Sequence, residues 1–345
     1  MEVLAKPAFS NRHTDPGNAN LYSELANQGV KVQEWSFSRI LFGKYDIVHI
    51  HWPDNILKTK FWFVALAKLI LLSFALVWIR HFRRRKVVWT AHNIESHEGR
   101  HPKIEKSFWA ILSKHLDGVT VHEEGIADRL IALRPQLKSV KVEVIPLAHF
   151  KGQYPSGISR EDARKQLGLK NDEFVFGFLG QIRPYKNVES LIRAFRELPD
   201  GNRLIVAGNT IDATIRESLV NLSTKNTRID LRFGFVDDAD LQVFYRAFDL
   251  VVLPFSQITN SGSALLALSF DCPVLIANSP TLQGMQAEFG EQYVSFFDGT
   301  LDEHSLKQAA MRTAGSKRNQ FDLSRRDITT VAKKTFEFYN QVLEQ

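Results

Sequence analysis

Residues 251–277, VVLPFSQITNSGSALLALSFDCPVLIA, constrain the fold of this chain more than any other stretch. An apolar run of the kind found in buried parallel strands is followed by a polar loop of small residues. An apolar segment long enough for about two helical turns then leads into a second apolar run. This order predicts a strand, a loop, a helix and a strand, which together form a βαβ unit.

The loop of this unit brings four small residues to the start of the predicted helix: Asn260, Ser261, Gly262 and Ser263. The first turn of a helix has unpaired backbone N–H groups and the positive end of the helix dipole, so a diphosphate can bind there. Alternatively, the polar residues only cap the helix. Capping is the simpler explanation of this stretch alone, whereas the rest of the chain favours anion binding.

The 345 residues contain two successive series in which strand-like and helix-like segments alternate. The predicted strands are 1–10, 30–35, 46–51, 87–91, 118–122 and 142–146, then 174–179, 203–209, 229–236, 251–255 and 273–277. Such alternation predicts parallel sheets covered by helices, and this length accommodates two of them. We therefore predict an α/β fold with two Rossmann-like doubly wound domains that face a cleft.

We place the first domain at residues 1–152. The second domain is placed at residues 153–325. The last segment, 326–345, is predicted as a helix that packs back onto the first domain. The polar stretch HFKGQYPSGISRED between the two domains is typical of a linker that ends in a helix cap.

The two halves of the chain differ in charge. Residues 1–150 contain 21 Lys and Arg against 14 Asp and Glu, whereas residues 151–345 contain 23 against 24. A basic half suits nucleic acid, an anionic membrane or an anionic substrate. No recognisable nucleic-acid module is present, so we expect no nucleic-acid partner. The one cysteine, Cys272, excludes a disulfide within the chain and suits the cytoplasm.

The most apolar segment is 61–79, FWFVALAKLILLSFALVWI, and the basic run RHFRRRK follows it. Three alternatives remain open from the sequence: a buried helix of an α/β domain, a helix lying in a membrane interface, and a true span. A strand-like segment, KVVWTAHN, continues the α/β pattern directly afterwards. We expect a protein that binds peripherally to the anionic inner face of the cell membrane.

The order of several motifs resembles that of the GT-B glycosyltransferases. These motifs are GFLGQIRPYKNVESLIRAF, RLIVAGN and FGFVDDADLQVFYRAFDLVVLPF in the second half, and DIVHIHWP, VVWTAHN and VEVIP in the first. The resemblance implies a nucleoside-diphosphate sugar as donor. It assigns the acceptor to the first domain, residues 1–152, and the nucleotide sugar to the second, residues 153–325. It places Gly180 where the backbone approaches the donor closely, and Arg183 and Lys186 on the diphosphate. It also places Phe235 and Val236 beside the nucleotide base.

Many retaining members carry two glutamates, eight residues apart, around the donor loop. In this chain those positions are Ile258 and Leu266. The combination of HIHWPD, TNSGS and IPLAHF is more similar to the bacterial β-mannosyltransferases of exopolysaccharide assembly. This similarity implies an inverting hexosyltransferase that uses GDP-mannose and a saccharide or polyprenyl-diphosphate-linked acceptor.

An inverting transfer needs a base on the acceptor hydroxyl, and the sequence offers several candidates. They are Asp15, His51, Asp54, His92, Glu95, His122 and Glu123. We favour His92, because its loop ends a strand, and Asp15, because it lies in the first loop. Each of these residues also has a structural explanation as a loop cap or a hydrogen-bonded group.

Two patterns suggest a metal site, and we interpret both as structural. His49 and His51 point to the same side of one strand, but no further ligand completes a site. Asp237, Asp238 and Asp240 precede a helix and are expected to act as caps. We therefore expect no metal cofactor. The alternative function is a catalytically silent subunit that binds a sugar nucleotide at the membrane.

Overall fold

The computed structural model describes residues 1–12, 16–94, 101–255, 262–314 and 321–345. The chain forms two compact units. Unit 1 comprises Met1–Ala148 and Leu323–Gln345, and unit 2 comprises His149–Asp322. The sequence prediction placed the boundary after residue 152 and the returning helix at residue 326.

Unit 1 contains a parallel sheet. Its strands are β1 (Glu2–Lys6), β2 (Lys31–Glu34), β3 (Ile47–Ile50), β4 (Lys86–Thr90), β5 (Gly118–Val121) and β6 (Lys141–Val144). Their order in the sheet is β2-β1-β3-β4-β5-β6, so the direction of winding reverses between β1 and β3. In open α/β sheets, ligands bind beyond the carboxyl ends of the strands at such a point.

Unit 2 contains a second parallel sheet. Its strands are β7 (Phe174–Leu179), β8 (Asn202–Gly208), β9 (Ile229–Phe233), β10 (Leu250–Leu253), β11 (Val274–Ala277) and β12 (Val294–Phe297). The order is β12-β11-β10-β7-β8-β9, and the winding reverses between β7 and β10. This is the strand order of the Rossmann fold. The predicted α/β class with two doubly wound sheets is confirmed.

The helices alternate with the strands. They are α1 (Pro16–Asn27), α2 (Phe37–Phe42), α3 (Trp62–Val77), α4 (Pro102–His115), α5 (Glu124–Leu133), α6 (Arg160–Leu167), α7 (Val188–Arg196), α8 (Ala213–Ser223), α9 (Leu241–Ala247), α10 (Gly262–Ser269), α11 (Gln283–Phe289), α12 (Glu303–Thr313) and α13 (Ile328–Leu343). The predicted cap before α6 is confirmed, since the Ser159 side chain accepts a hydrogen bond from the Asp162 N–H.

Two hydrophobic clusters form the core of unit 1, one on each side of its sheet. On one side, Leu69 and Leu72 of α3 pack with Val48 and Trp89 of the sheet. On the other side, α13 packs beside α1 and places the buried Tyr339 in the same cluster as Tyr22. The C-terminal segment therefore supplies a polar side chain to the interior of unit 1.

Candidate active site

The β7–β10 switch point of unit 2 is flanked by two loops. Gly180 follows β7 directly, and Phe255 lies two residues beyond β10. Gly180 has φ 140°, a backbone conformation that residues other than glycine rarely adopt. A Cβ atom at Gly208, the last residue of β8, would lie 1.9 Å from the Gly180 carbonyl oxygen. The loop after β7 therefore approaches the end of β8 closely, with a glycine on each side. The close approach of Gly180 to the donor remains a prediction.

Lys186 is the central cation of this edge. Its side chain is buried, with Nζ 4.7 Å from the centre of the Phe255 ring and 6.0 Å from that of Phe178. Burial, and then the positive charge of Arg183, lower the pKa of Lys186 to about 8. Within the described residues Lys186 has no carboxylate partner. A buried cation without an anion is costly, so this position favours an anionic ligand.

Arg183 and the start of α7 add to the same anion-binding character. The Arg183 side chain is exposed, and its Nε donates to Gln181 Oε1 at 2.9 Å. Helix α7 begins at Val188, two residues after Lys186. Its first backbone N–H groups and dipole add partial positive charge close to these two cations. The pattern Gly180, Arg183 and Lys186, taken from the sequence, thus lies in one loop at the switch point.

The other predicted donor residues divide into three groups. Gly262 and Ser263 are the first residues of α10, and a Cβ at Gly262 would meet no atom within 4 Å. Asn260 and Ser261 lie outside the described residues. Phe235 and Val236 follow β9 on the same carboxyl edge of the sheet, and the Phe235 side chain is 79% exposed. An exposed aromatic ring of this kind can stack on a nucleotide base.

The carboxyl ends of the central strands of unit 1 carry a chain of hydrogen-bonded histidines. Tyr22 Oη lies 2.5 Å from His51 Nε2, and His51 Nδ1 lies 2.9 Å from His92 Nε2. His92 Nδ1 lies 3.2 Å from His122 Nε2, and His122 Nδ1 lies 2.9 Å from the Ile145 carbonyl oxygen. We call Tyr22, His51, His92, His122 and the Ile145 carbonyl the histidine chain.

The Ile145 carbonyl fixes the direction of every bond in this chain. A carbonyl only accepts, so His122 Nδ1 must carry a proton, and the neutral ring accepts at Nε2. His92 must then donate from Nδ1 and accept at Nε2, which makes His51 Nδ1 a donor. His51 Nε2 therefore accepts from the Tyr22 hydroxyl. Three neighbouring imidazoles are assigned the same Nδ1–H tautomer by this reasoning.

His49 is a further buried histidine that lies beside the histidine chain. Its Nδ1 lies 2.6 Å from Tyr339 Oη and 2.9 Å from Tyr22 Oη, and its Nε2 lies 2.7 Å from Thr90 Oγ1. Burial lowers the pKa of His49 to about 3. His49 and His51 thus point to the same side of β3, as predicted. Their partners are tyrosine, threonine and histidine, and the described residues contain no cluster of His, Cys, Asp or Glu that could hold a metal ion.

The three histidines of the histidine chain are also held neutral. Burial, opposed in part by the bond to Ile145, lowers the pKa of His122 to about 4. The pKa values of His51 and His92 lie well below 6.5, chiefly because of burial and then because of the neighbouring histidines. Both ring nitrogens of His92 are already used within the chain. To act as a base, His92 would have to exchange one of these bonds for the acceptor hydroxyl.

The other predicted bases have different surroundings. Asp15 and Glu95 lie outside the described residues. Glu123 accepts a hydrogen bond from Arg326 Nη2 at 2.9 Å, and Arg326 is buried. This ion pair attaches the segment before α13 to the end of β5.

Asp240 precedes α9 without a capping bond from its side chain, so the cap predicted there is absent from the structure.

The first loop of unit 1 binds a carboxylate of the same protein, that of Glu34. The Glu34 carboxylate accepts from the backbone N–H groups of Phe9 at 2.8 Å, Ser10 at 3.0 Å and Ala8 at 3.1 Å. In dinucleotide-binding domains the loop after the first strand receives the phosphates. Here those donors are used by Glu34, whereas the corresponding loop of unit 2 presents Lys186 and Arg183. This contrast favours unit 2 as the donor-binding unit.

Comparisons with known proteins agree with this geometry. Residues 159–305 match the model of the family described as glycosyl transferases group 1. The chain is 28% identical over 343 residues to a GDP-mannose:glycolipid 4-beta-D-mannosyltransferase of Xanthomonas campestris pv. campestris, with 99% of this chain and 92% of that protein covered. The chain is a nucleotide-sugar glycosyltransferase.

Solved structures share the fold at low identity. The structure of HepE from Anabaena in complex with UDP has a TM-score of 0.62 and 17% identity, and the match covers 99% of this chain and 98% of that one. Sucrose-phosphate synthase from Thermosynechococcus elongatus has a TM-score of 0.64 and 17% identity, with 99% and 94% covered. The predicted GT-B fold and the predicted dependence of the enzyme on a nucleotide sugar are confirmed.

In this glycosyltransferase, the apolar segment after β3 has two different faces. The described residues contain one helix, Trp62–Phe82, that is long and apolar enough to cross a membrane by length and composition. Ala65, Leu69, Leu72 and Leu76 are buried against the sheet. The side chains on the opposite face are largely exposed: Trp62, Phe63, Leu66, Ile70, Leu71, Phe74 and Val77. We call these residues the exposed α3 face.

Most of the basic run after α3 is bound within the glycosyltransferase. Arg80 pairs with Asp117, Arg83 donates to the Gly43 carbonyl, and Arg85 lies 3.2 Å from an Asp46 oxygen. The cations of this region that have no carboxylate partner within the described residues are Lys60, Lys68, Arg83 and Arg84. The electrostatic part of any membrane attraction therefore depends on fewer charges than the run RHFRRRK suggests.

Proposed function

We propose that this glycosyltransferase moves mannose from GDP-mannose to a hydroxyl group of a saccharide or lipid-linked oligosaccharide, with inversion at the anomeric carbon. The observation that carries the proposal is the buried Lys186 beside Arg183 at the β7–β10 switch point, which has no carboxylate partner in the part of the chain that the structure describes. The similarity over almost the whole chain to a GDP-mannose:glycolipid mannosyltransferase supports the choice of sugar and nucleotide. The product would be a polysaccharide or a glycolipid intermediate.

In the proposed reaction, the acceptor oxygen attacks the anomeric carbon of mannose. The bond between that carbon and the β-phosphate oxygen breaks, and the electron pair leaves with GDP. Lys186, Arg183 and the start of α7 stabilise the charge that grows on the departing diphosphate. The proposal includes no metal ion, because Lys186, Arg183 and the start of α7 supply positive charge beside the proposed position of the phosphates.

The proton of the acceptor hydroxyl passes to a base, for which we propose Asp15 or His92. The contacts of His92 favour Asp15 of the two. His92 has both ring nitrogens engaged, and its depressed pKa makes it a weak base at neutral pH. In the sequence, Asp15 comes after β1 and directly before Pro16, the first residue of α1.

We further propose that the exposed α3 face binds the anionic inner surface of the cell membrane without spanning it. Since the opposite face of α3 belongs to the core of unit 1, a span would have to remove that core from the protein. A helix with one face in a protein core and the other apolar and exposed suits the interfacial depth of a bilayer. Binding there would keep a lipid-linked acceptor close to the enzyme.

The first test of this function is nucleotide binding followed by transfer. A thermal-shift panel of GDP, UDP, dTDP and ADP should show the largest stabilisation with GDP, since a ligand of the native state raises the melting temperature. Membranes and radiolabelled GDP-mannose should then yield a labelled, β-linked product. Preference for another nucleotide would contradict the choice of donor, and an α-linked product would contradict inversion.

The alternative, a catalytically silent sugar-nucleotide-binding subunit, has no support from the relatives. The same experiment separates the two functions. A silent subunit would be stabilised by GDP but would neither transfer mannose nor slowly hydrolyse GDP-mannose.

A further inference from the structure

Trp52 lies at the β1–β3 switch point of unit 1, two residues beyond the end of β3. Its ring stacks on His92, with ring centres 4.2 Å apart and an angle of 16° between the planes. Its other ring contact is with His51, tilted and 5.8 Å away. One face of the indole is thus covered by the histidine chain, and the side chain as a whole is half-buried.

The indole N–H of Trp52 is available to a ligand. Within the described residues it makes no hydrogen bond. The N–H of Trp78 is likewise without a partner but is buried, whereas that of Trp52 is not among the buried polar atoms. By contrast, the N–H of Trp89 donates to the His51 carbonyl oxygen at 3.2 Å. Trp52 therefore presents a flat apolar surface with a hydrogen-bond donor on its rim.

The backing of this surface is rigid and uncharged. His92 is held from both sides by His51 and His122, and the chain ends on a backbone carbonyl that cannot change its role. The face of an indole ring is electron-rich and attracts groups with partial positive charge. A protonated imidazole stacked behind the ring would compete for that electron density, so a neutral His92 preserves it.

A hexose matches this surface in shape and polarity. One face of a pyranose presents C–H groups, which pack on an aromatic ring, and its rim presents hydroxyl groups, which accept from an N–H. We propose that Trp52 is the platform on which a hexose ring of the acceptor stacks, and that His92 and His122 position it. This inference rests on the proposed function, in which unit 1 receives a saccharide acceptor.

Binding of a soluble glycoside tests the platform without the donor. Octyl β-D-glucoside, used below its micelle concentration, should change the tryptophan fluorescence of the folded enzyme, whereas 1,2-octanediol, which has no sugar ring, should not. The change should disappear in Trp52→Phe and persist in Trp62→Ala, which removes an exposed tryptophan of α3. An equal response in Trp52→Phe would overturn the assignment.

Steady-state transfer tests the same residue in the reaction. Trp52→Ala should raise the KM for the acceptor about tenfold or more and leave kcat and GDP affinity unchanged, while Trp52→Phe keeps part of the stacking and loses less. A fall in kcat at constant KM, or a loss of GDP affinity, would contradict acceptor stacking. If Trp52→Ala fails to fold, Trp52→Phe and Trp52→Tyr provide the same comparison.

The positioning role of His122 has its own signature. The titratable groups around His92 in the described residues are His49, His51 and His122, with the Arg326–Glu123 pair next to His122. In the wild type, acceptor KM should stay constant between pH 8 and pH 6. In His122→Phe it should rise as pH falls, because His92 loses its partner and can be protonated. A flat profile in His122→Phe would refute this role.

If the wild type neither transfers mannose nor binds GDP, the proposed function fails instead, and the fluorescence test still decides whether Trp52 is a platform for a hexose.

Discussion

The Nζ atom of Lys186 lies 4.7 Å from the centre of the Phe255 ring. Lys186 follows β7 and Phe255 follows β10, so this contact joins the two sides of the switch point in unit 2. An aromatic face attracts a cation but cannot neutralise it. The contact therefore leaves the charge of Lys186 available for the diphosphate that we propose as its ligand.

The cations of this loop should carry much of the affinity for the donor. We expect Arg183→Ala to weaken GDP binding by about 1.5–3 kcal/mol, the range of charge-assisted hydrogen bonds. Isothermal titration calorimetry provides the measurement. Arg193→Ala removes an exposed arginine of α7 and is the matched control. Equal affinity of Arg183→Ala and Arg193→Ala for GDP would remove Arg183 from the site.

Affinity for GDP should also depend on pH through Lys186. The pKa of Lys186 is lowered to about 8 in the free protein, and a bound diphosphate favours the charged form and raises it. Above pH 8 the free enzyme loses the charge before the complex does, so binding weakens by up to about tenfold per pH unit. Calorimetry at pH 7.5 and 9 measures this. In Lys186→Arg the dependence should vanish, and a wild-type affinity that stays constant would show that Lys186 does not contact the phosphates.

The histidine chain should make the protein less stable in mild acid. The pKa of His122 is about 4 in the folded protein and about 6.5 in the unfolded chain. Between these values the unfolded state binds more protons, so the free energy of unfolding falls as pH falls, by up to about 1.4 kcal/mol per pH unit for each such histidine. Above about pH 6.5 this contribution is constant.

Urea unfolding at pH 7.5, 6 and 5 measures this slope. His122→Phe should make it shallower between pH 6.5 and 5, whereas substitution of the exposed His304 should leave it unchanged. A slope that is the same in wild type and His122→Phe would show that His122 is charged in the folded protein.

Membrane binding should depend on the exposed α3 face. Ile70 and Phe74 are 62% and 51% exposed, and each buried apolar side chain of this size contributes about 1.5–3 kcal/mol. The double variant Ile70→Ser with Phe74→Ser should therefore lose vesicle binding in flotation assays. Ile211→Ser, on unit 2, is the control, since Ile211 is 95% exposed and lies on another unit.

Salt should reduce this binding only in part. Each cation near an anionic surface contributes about 1 kcal/mol, and Lys60, Lys68, Arg83 and Arg84 have no carboxylate partner in the described residues. Flotation should fall with salt on anionic vesicles and be weaker on neutral ones. Release by detergent alone, with no effect of salt or of the double variant, would indicate a span.

Removal of the base should lower turnover and preserve donor binding. Asp15→Asn should reduce kcat by about 10²–10⁴-fold with unchanged GDP affinity, because general-base catalysis contributes that much. His92→Gln should lower kcat less, since its ring nitrogens bind other histidines. If Asp15→Asn keeps near-normal turnover and His92→Gln does not, His92 is the base. If both keep it, His51 is the next residue to test.

The sequence by itself determined the local structure and the class of fold. Apolar runs separated by polar and amphipathic segments predicted the strands β1 to β11, because hydrophobic periodicity is a local property. The edge strand β12 (Val294–Phe297) was not predicted. The loop that holds Gly180, Arg183 and Lys186 was predictable for the same reason, since the three residues lie within one short segment after one strand. The returning helix at the C-terminus was also recognisable as a helix.

The tertiary structure alone decided what the polar residues of unit 1 do. Tyr22, His51, His92 and His122 come from separate elements, and only the parallel packing of β3, β4 and β5 brings their rings into one line. From the sequence, His92 looked like a base that is free to accept a proton. In the structure, both of its ring nitrogens are hydrogen-bonded to neighbouring histidines, and the ring is neutral. Likewise, the sequence of α3 is apolar on every side, and only its packing reveals which face is core and which is exposed. Burial and hydrogen bonding depend on contacts between distant residues, which no local pattern contains.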